Sequence, residues 1–111
     1  RALRTAFSLA RRYRLPVVAD PASVTLAERL TPYLERLYCV VPNAREAAAL
    51  TGIAFDEADQ NGALLAARRL VASGVQIAVI TLAEFGLCYA SAESSGYVPA
   101  IRTAVTDPTG A

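Results

Sequence analysis

The stretch YCVVPNAREAAALTG, residues 38–52, decides the fold of this chain. Its first five residues are an apolar run that ends in Pro42, which is the pattern of a short buried strand. Residues 43–50 then have helical propensity, and Thr51-Gly52 supplies a stop because glycine readily takes the left-handed conformation that ends helices. The stretch therefore predicts a buried strand that leads directly into a helix.

Strand and helix patterns continue on both sides of this unit. Apolar residues at helical spacing predict a first helix that ends near Arg14. Residues 24–37 predict a second helix with a break and restart at Thr31-Pro32, where Thr31 is expected to cap and Pro32 to open the new helix. Residues 58–73 predict a third helix, which Gly74 ends. The remaining strands are expected at residues 17–19, at residues 77–81, and in a hairpin of residues 87–90 and 97–98 around the turn AESSG.

The order of these elements predicts an α/β fold with a mostly parallel sheet, because strands alternate with helices along most of the chain. In such sheets ligands bind beyond the carboxyl ends of the strands. Three residues directly follow or end a predicted strand there: Asp20, Asn43 and Thr81. They are the first candidates for a ligand site.

The composition excludes several classes of site. The chain has 111 residues, which fits one small domain, and 54% of them are hydrophobic. All eleven basic residues are arginine, so a Walker-type phosphate loop is excluded by the lack of its lysine. There is no histidine, which excludes histidine-based triads and the common zinc sites. The motif FDEADQ, residues 55–60, contains the letters of a helicase box, but no phosphate loop accompanies it, and we interpret it as coincidence.

The same data set expectations for surroundings and partners. A formal net charge of +1 favours neither nucleic acid nor an anionic membrane as a partner. No apolar run is long enough to span a bilayer. Cys39 and Cys88 lie far apart in apolar segments, which is typical of buried free thiols in a reducing compartment. We therefore expect a cytoplasmic protein.

Asn43 and Glu46, three residues apart at the strand-to-helix junction, have two interpretations. Asparagine at the N-cap with glutamate at the third helical position is the pattern of a capping box, in which each side chain binds the other's backbone. Alternatively, both side chains face a ligand crevice, where a carboxylate can hold magnesium and an amide can bond a phosphate oxygen. The two interpretations are compatible.

Two further segments follow strands and carry small or polar residues. VITLAEFG, residues 79–86, ends a buried strand at Thr81 and predicts either a simple turn or a loop that lines a nucleotide. TDPTGA, residues 106–111, favours a turn, and its small residues Gly110 and Ala111 would let backbone amides approach an anion. Each segment alone is also compatible with an ordinary turn.

Taken together, the ordered motifs P-N-x-x-E-A-x-x-L-T-G, V-I-T-L-x-x-x-G and V-x-D-P-T-G-A resemble the ribokinase-like (PfkB) family of sugar and nucleoside kinases. The resemblance covers essentially the whole chain. It implies a three-layer αβα, Rossmann-like fold and an ATP-dependent phosphotransferase with an alcohol group as acceptor. It also implies ATP and Mg²⁺ as cofactors, with K⁺ as a candidate activating ion.

The resemblance assigns roles to particular residues of this chain. Asn43 and Glu46 match the motif that organises magnesium and the phosphates, and Glu46 is the magnesium candidate. Asp107 and Thr109 match positions that hold a monovalent cation, and Gly110 and Ala111 match the first half of an anion hole for the transferring phosphate. The loop that contacts ATP corresponds to Thr81, Leu82, Ala83, Glu84, Phe85 and Gly86. The family usually has glycine at the position of Ala83, so we expect this loop to approach the nucleotide differently.

The motif around Gly110 continues in the family to an aspartate that acts as the general base. We therefore expect residues 1–111 to be a middle-to-C-terminal portion of a kinase domain, with the base just after Ala111. The isolated 111 residues are expected to be inactive.

The resemblance leaves the acceptor open. ADPASVTLAERL, residues 19–30, looks most like the pseudouridine kinases, although Leu26 stands where those kinases have lysine. The alternatives are a sugar kinase of the fructokinase or ribokinase type and a non-catalytic nucleotide-binding α/β module. A small-molecule nucleoside or sugar is thus the expected partner, and a homodimer is carried as a hypothesis.

Overall fold

The computed structural model describes residues 2–100, which form an α/β domain around one mixed sheet. Four α-helices occur in this part of the chain: α1 (Ala2–Arg12), α2 (Val24–Leu30), α3 (Ala44–Thr51) and α4 (Gln60–Ala72). Two 3-10 helices cover Thr31–Arg36 and Ala83–Phe85. The five strands are β1 (Val18–Ala19), β2 (Cys39–Val40), β3 (Ile77–Thr81), β4 (Leu87–Ser91) and β5 (Ser95–Val98).

The strands follow one another across the sheet in the order of the sequence. The first three are parallel, with Cys39 of β2 in register with Val18 on one side and Ile77 on the other. Strands β3, β4 and β5 are antiparallel neighbours. The predicted α/β class is confirmed, and the parallel half of the sheet brings the carboxyl ends of β1, β2 and β3 to one edge.

The hydrophobic core lies between helices and one face of the sheet. Along β3, Ala78 and Ile80 are fully buried, while the alternate residues are half-buried, as the two-residue period of a strand requires. Helix α4 covers this face with its own fully buried residues, which are Ala63, Ala66, Ala67 and Leu70. The small alanines on α4 let its backbone approach the sheet closely, and this fixes the position of the strands that carry the site.

Helix α3 begins and ends as the sequence predicts. Its N-cap is Asn43, and its final turn closes on Gly52, which has a φ of 77° and donates its N–H to the carbonyl of Ala48. That left-handed conformation is one that glycine takes without steric cost. The strand ahead of it is shorter than expected and covers Cys39–Val40.

Two predicted helix boundaries need correction. The break at Thr31-Pro32 occurs, but the chain continues as a 3-10 helix, and Thr31 donates its hydroxyl to the carbonyl of Ala27 instead of capping. Helix α4 begins at Gln60 and not at residue 58, because Asp59 is its N-cap and accepts a hydrogen bond from the N–H of Gly62 at 2.9 Å. A short polar side chain that accepts from a first-turn N–H stabilises a helix start at the following residue.

The hairpin is tighter than the sequence suggested. Ser95 and Gly96 belong to β5, where they pair with Ala90 and Tyr89, so the turn itself is residues 92–94. The hydroxyl of Ser91 accepts hydrogen bonds from the N–H groups of Glu93 and Ser94, both at 3.3 Å.

None of the helices between residues 2 and 100 has the length and apolar character that crossing a bilayer demands.

Candidate functional site

Asn43 and Thr81 lie side by side at the carboxyl edge of the sheet. They form a parallel bridge between the last residue of β3 and a residue shortly after β2. The backbone N–H of Thr81 donates to the carbonyl of Pro42 at 2.9 Å, and the Thr81 hydroxyl reaches the same carbonyl at 3.4 Å. The sheet thus brings together two of the three candidate residues at the strand ends. Asp20 is exposed and follows β1 at the same edge. Strand β1 pairs with β2 on the side away from β3, so Asp20 is one strand further from Thr81 than Asn43 is.

Asn43 and Glu46 form the predicted capping box. The backbone N–H of Glu46 donates to Oδ1 of Asn43 at 2.8 Å, and the backbone N–H of Asn43 donates to Oε1 of Glu46 at 3.0 Å. These bonds satisfy two N–H groups at the start of α3 that would otherwise lack partners.

The capping box also fixes what Asn43 offers to a ligand. Because Oδ1 accepts from the backbone of α3, the Nδ2 group with its two N–H donors is the part of the amide left for a ligand. The Asn43 side chain is exposed at the sheet edge. An amide donor beside a helix N-terminus suits an anion such as a phosphate oxygen.

Glu46 is the one buried charged side chain among the described residues, with 6% of its surface exposed. Its Oε1 serves the cap, while Oε2 and the second lone pair of Oε1 remain available as acceptors. No group of three or more His, Cys, Asp or Glu side chains converges anywhere in residues 2–100. A single carboxylate fits Mg²⁺, which keeps several waters and takes further ligands from substrate phosphates, and does not fit a metal held by protein alone.

The loop of residues 81–86 is a compact turn held by backbone hydrogen bonds. Leu82 is fully buried and donates its N–H to the carbonyl of Gly86 at 2.8 Å. Between them, Ala83–Phe85 forms a 3-10 turn, and the hydroxyl of Tyr97 on β5 donates to the carbonyl of Phe85. The loop is therefore fixed to both sides of the hairpin that follows it.

Two positions in this loop have positive φ. Gly86 has a φ of 104°, and a Cβ there would collide with the carbonyl oxygen of Val98, so only glycine fits. Ala83 has a φ of 51°, a left-handed conformation that costs a non-glycine residue roughly 1 kcal/mol. Ala83 thus holds a strained backbone conformation at the position where the family usually has glycine.

A cleft of about 620 Å³ opens over this edge of the sheet. It brings together four of the predicted site residues, which are Asn43, Thr81, Ala83 and Gly86. The other predicted loop residues and Glu46 are not part of its wall: Leu82 is buried in the core, whereas Glu84 and Phe85 are exposed. The predicted site residues Asp107, Thr109, Gly110 and Ala111 lie outside the described residues.

The sequence did not predict five residues that line the cleft: Glu57, Leu87, Val98, Pro99 and Ala100. The last four come from the hairpin and the segment after it, which carry no local motif. Glu57 lies in FDEADQ, residues 55–60, which we interpreted from the sequence only as a coincidental match to a helicase box. Only the packing of this loop beside Asn43 reveals it as part of the site.

The parallel strands, the capped helix at their carboxyl edge and the fixed loop after β3 define an α/β protein with a cleft at that edge. A sequence model described as pfkB family carbohydrate kinase matches residues 1–111. The chain belongs to the pfkB family of carbohydrate kinases.

Among curated proteins, the chain is 31% identical over 106 residues to a deoxyribokinase of Salmonella typhi, and the match covers 96% of this chain and 34% of that protein. The fold is similar to that of phosphofructokinase-2 from Escherichia coli, crystallised with substrates and products, with a TM-score of 0.73, 23% identity and coverage of 95% and 34% of the two chains. It is also similar to an E. coli protein described as a ribokinase II, in complex with ATP and Mg²⁺, with a TM-score of 0.70, 19% identity and coverage of 97% and 35%.

The chain thus spans about a third of the length of the deoxyribokinase that it matches. The two structural likenesses, at below 25% identity, concern the fold alone.

Proposed function

We propose that the protein containing this chain is an ATP-dependent phosphotransferase that phosphorylates a hydroxyl group of a nucleoside or sugar. The observation that carries the proposal is the capping box of Asn43 and Glu46, bridged to Thr81 at the mouth of the cleft. It presents amide donors and a carboxylate at the sheet edge where α/β proteins bind ligands. Membership of the pfkB family supports the same activity.

In this proposal each residue of the junction has a distinct task. The Nδ2 group of Asn43 donates hydrogen bonds to a phosphate oxygen of the nucleotide, and the N-terminus of α3 adds favourable partial positive charge. The carboxylate of Glu46 accepts from water molecules around Mg²⁺ or binds the ion itself. When bound, Mg²⁺ would offset the negative charge of the phosphates. Of the loop 81–86, the residues that line the cleft, Thr81, Ala83 and Gly86, lie against the nucleotide.

The cofactors proposed are ATP and Mg²⁺, supported by the similar E. coli structure that contains both. K⁺ as an activating ion rests on the resemblance of Asp107 and Thr109 to the family's cation-binding positions. The catalytic base after Ala111, a cytoplasmic location and a homodimeric state remain expectations from the sequence.

For the acceptor we propose pseudouridine, on the resemblance of residues 19–30 to pseudouridine kinases. Part of that segment has a local structural purpose, since Ser23 caps α2 by accepting a hydrogen bond from the N–H of Leu26 at 3.1 Å. The serine in this motif thus serves helix formation irrespective of the acceptor.

A sugar is the second candidate acceptor, and the similarity to a deoxyribokinase favours it. A pentose such as ribose or 2-deoxyribose offers the same primary hydroxyl as a nucleoside but lacks the base. The two candidates therefore differ in the part of the molecule that an acceptor pocket would recognise and share the chemistry of transfer.

The test is ADP release by the full-length gene product with ATP, Mg²⁺ and a panel of pseudouridine, uridine, ribose, 2-deoxyribose and fructose. Turnover of pseudouridine above the other acceptors supports the first candidate, and turnover of a pentose or fructose above pseudouridine supports the sugar kinase. Nucleotide binding without turnover of any acceptor would contradict the kinase and favour a non-catalytic module. The same assay with the isolated 111 residues should give no turnover.

A further inference from the structure

Glu57 is the one charged side chain among the described residues that line the cleft. Most of the wall is apolar or lacks a side-chain donor, since it consists of Ala83, Gly86, Leu87, Val98, Pro99 and Ala100. Leu87 and Val98 are paired across the hairpin and form one continuous apolar surface. An exposed carboxylate facing such a surface is a distinct recognition group.

The Glu57 carboxylate takes no part in the hydrogen bonds that form the surrounding turn and the helix cap. The turn that contains it is made by Asp56, which accepts a hydrogen bond from the N–H of Ala58 at 2.9 Å. The helix that follows is capped by Asp59. Glu57 stands between these two aspartates and takes neither part, and it is exposed.

The chemistry of a carboxylate limits what it can bind in a nucleotide cleft. It only accepts hydrogen bonds and repels phosphate oxygens, so it suits a hydroxyl or N–H donor or a cation. No group of three acidic, histidine or cysteine side chains converges in residues 2–100, so a metal held by protein ligands alone does not fit at Glu57. The hydroxyl groups of a nucleotide's sugar are donors that this carboxylate can accept from.

We propose that Glu57 recognises the ribose hydroxyls of the donor nucleotide and makes the cleft selective for ribonucleotides over deoxyribonucleotides. This inference rests on the proposed function, which places ATP in the cleft. The phosphates lie toward Asn43, the base lies against the apolar surface of Leu87 and Val98, and the sugar between them faces the carboxylate. A site built to bond a hydroxyl discriminates strongly against an analogue that lacks it.

The test compares binding of ATP, 2′-deoxy-ATP and 3′-deoxy-ATP to the full-length protein, with Mg²⁺ present and calorimetry as the readout. The variant is Glu57→Ala, and the matched control is Glu93→Ala, which removes an exposed carboxylate in the turn between β4 and β5, outside the cleft wall. The wild-type protein should bind ATP about tenfold more tightly than one or both deoxy forms, as expected for a charge-assisted hydrogen bond of at least about 1.4 kcal/mol. Glu57→Ala should abolish that preference by weakening ATP alone, whereas Glu93→Ala should keep it.

Two results would overturn the inference. One is wild-type binding that does not discriminate among the three nucleotides. The other is a Glu57→Ala variant that weakens or strengthens all three equally, which would indicate a general charge effect. Absence of nucleotide binding by the wild-type protein would refute the proposed function itself, and this inference with it.

Discussion

Asn43 and Glu46 each bind the other's backbone with a side-chain oxygen, at 2.8 and 3.0 Å. The pair thus stabilises the start of α3, and in the proposed function its amide and carboxylate also serve the phosphates and Mg²⁺, although only Asn43 lines the cleft. A substitution that removes either side chain would therefore change both stability and ligand binding. Replacements that keep the capping oxygen separate the two effects.

Glu46→Gln should leave stability nearly unchanged and weaken the magnesium dependence of activity. The glutamine carbonyl can still accept from the N–H of Asn43, but the negative charge that favours Mg²⁺ is gone. The magnesium concentration for half-maximal activity should rise several-fold. Titration of Mg²⁺ at fixed ATP measures it, with urea unfolding as the stability readout.

Glu46→Ala is the matched variant, since it removes the cap as well. It should lose about 1 kcal/mol of unfolding free energy in addition to the magnesium effect. An unchanged magnesium response in Glu46→Gln would contradict the role of Glu46 at the metal.

Asn43→Asp should preserve the helix cap and weaken ATP binding. Aspartate offers the same acceptor to the N–H of Glu46 and caps as well as asparagine, so stability should change by less than about 0.5 kcal/mol. It replaces the two N–H donors with a negatively charged oxygen, which repels phosphate. We expect the Kd for ATP to rise at least tenfold in calorimetry. Equal affinity in the variant would show that the Asn43 amide does not contact the nucleotide.

Ala83→Gly should stabilise the protein by up to about 0.5 kcal/mol. The residue has a φ of 51°, and glycine takes this conformation without the Cβ clash that alanine suffers, a gain only partly offset by the freer unfolded chain. Urea unfolding of the full-length protein measures the change.

Gly86→Ala, three residues later in the same loop, is the opposing control. Its Cβ would collide with the carbonyl of Val98, and we expect a loss of more than about 1 kcal/mol. If Ala83→Gly destabilised the protein, the strain assigned to Ala83 would be wrong.

Stability should fall at alkaline pH through Cys88. This thiol is fully buried, and the burial raises its pKa above the ordinary value, because removal from water disfavours the thiolate. The unfolded thiol ionises first, near pH 8.5, so the stabilising contribution is complete below that pH and decreases as pH rises toward the folded pKa.

The difference in unfolding free energy between wild type and Cys88→Ala isolates this contribution, because the other titrating groups cancel. It should be constant between pH 6 and pH 8, which lie below the ordinary thiol pKa, and decrease between pH 8.5 and pH 10. A difference that stayed constant over the whole range would contradict the raised pKa. Burial also raises the pKa of Cys39, which is retained in both proteins and cancels as well.

Much of the junction at Asn43 could be predicted from the sequence because its determinants are local. The capping box depends on residues three apart, and the stop at Gly52 depends on one glycine with a φ of 77°. The start of α4 was missed although its determinant is also local: Asp59 accepts a hydrogen bond from the N–H of Gly62. Helical propensity favours a start at residue 58, whereas the capping side chain of Asp59 favours a start at Gln60, and propensity alone does not decide between the two.

The sequence by itself determined the α/β class, the capped junction between β2 and α3, and the resemblance of three ordered motifs to a kinase family, since all of these depend on neighbouring residues. Only the tertiary structure decided that Asn43 and Thr81 form a bridge and that Glu57 joins them in one cleft. Those contacts join residues far apart in the chain, and they exist because packing of α3 and α4 on the sheet fixes where each strand ends. Long-range packing of this kind leaves no signal in any short stretch of sequence.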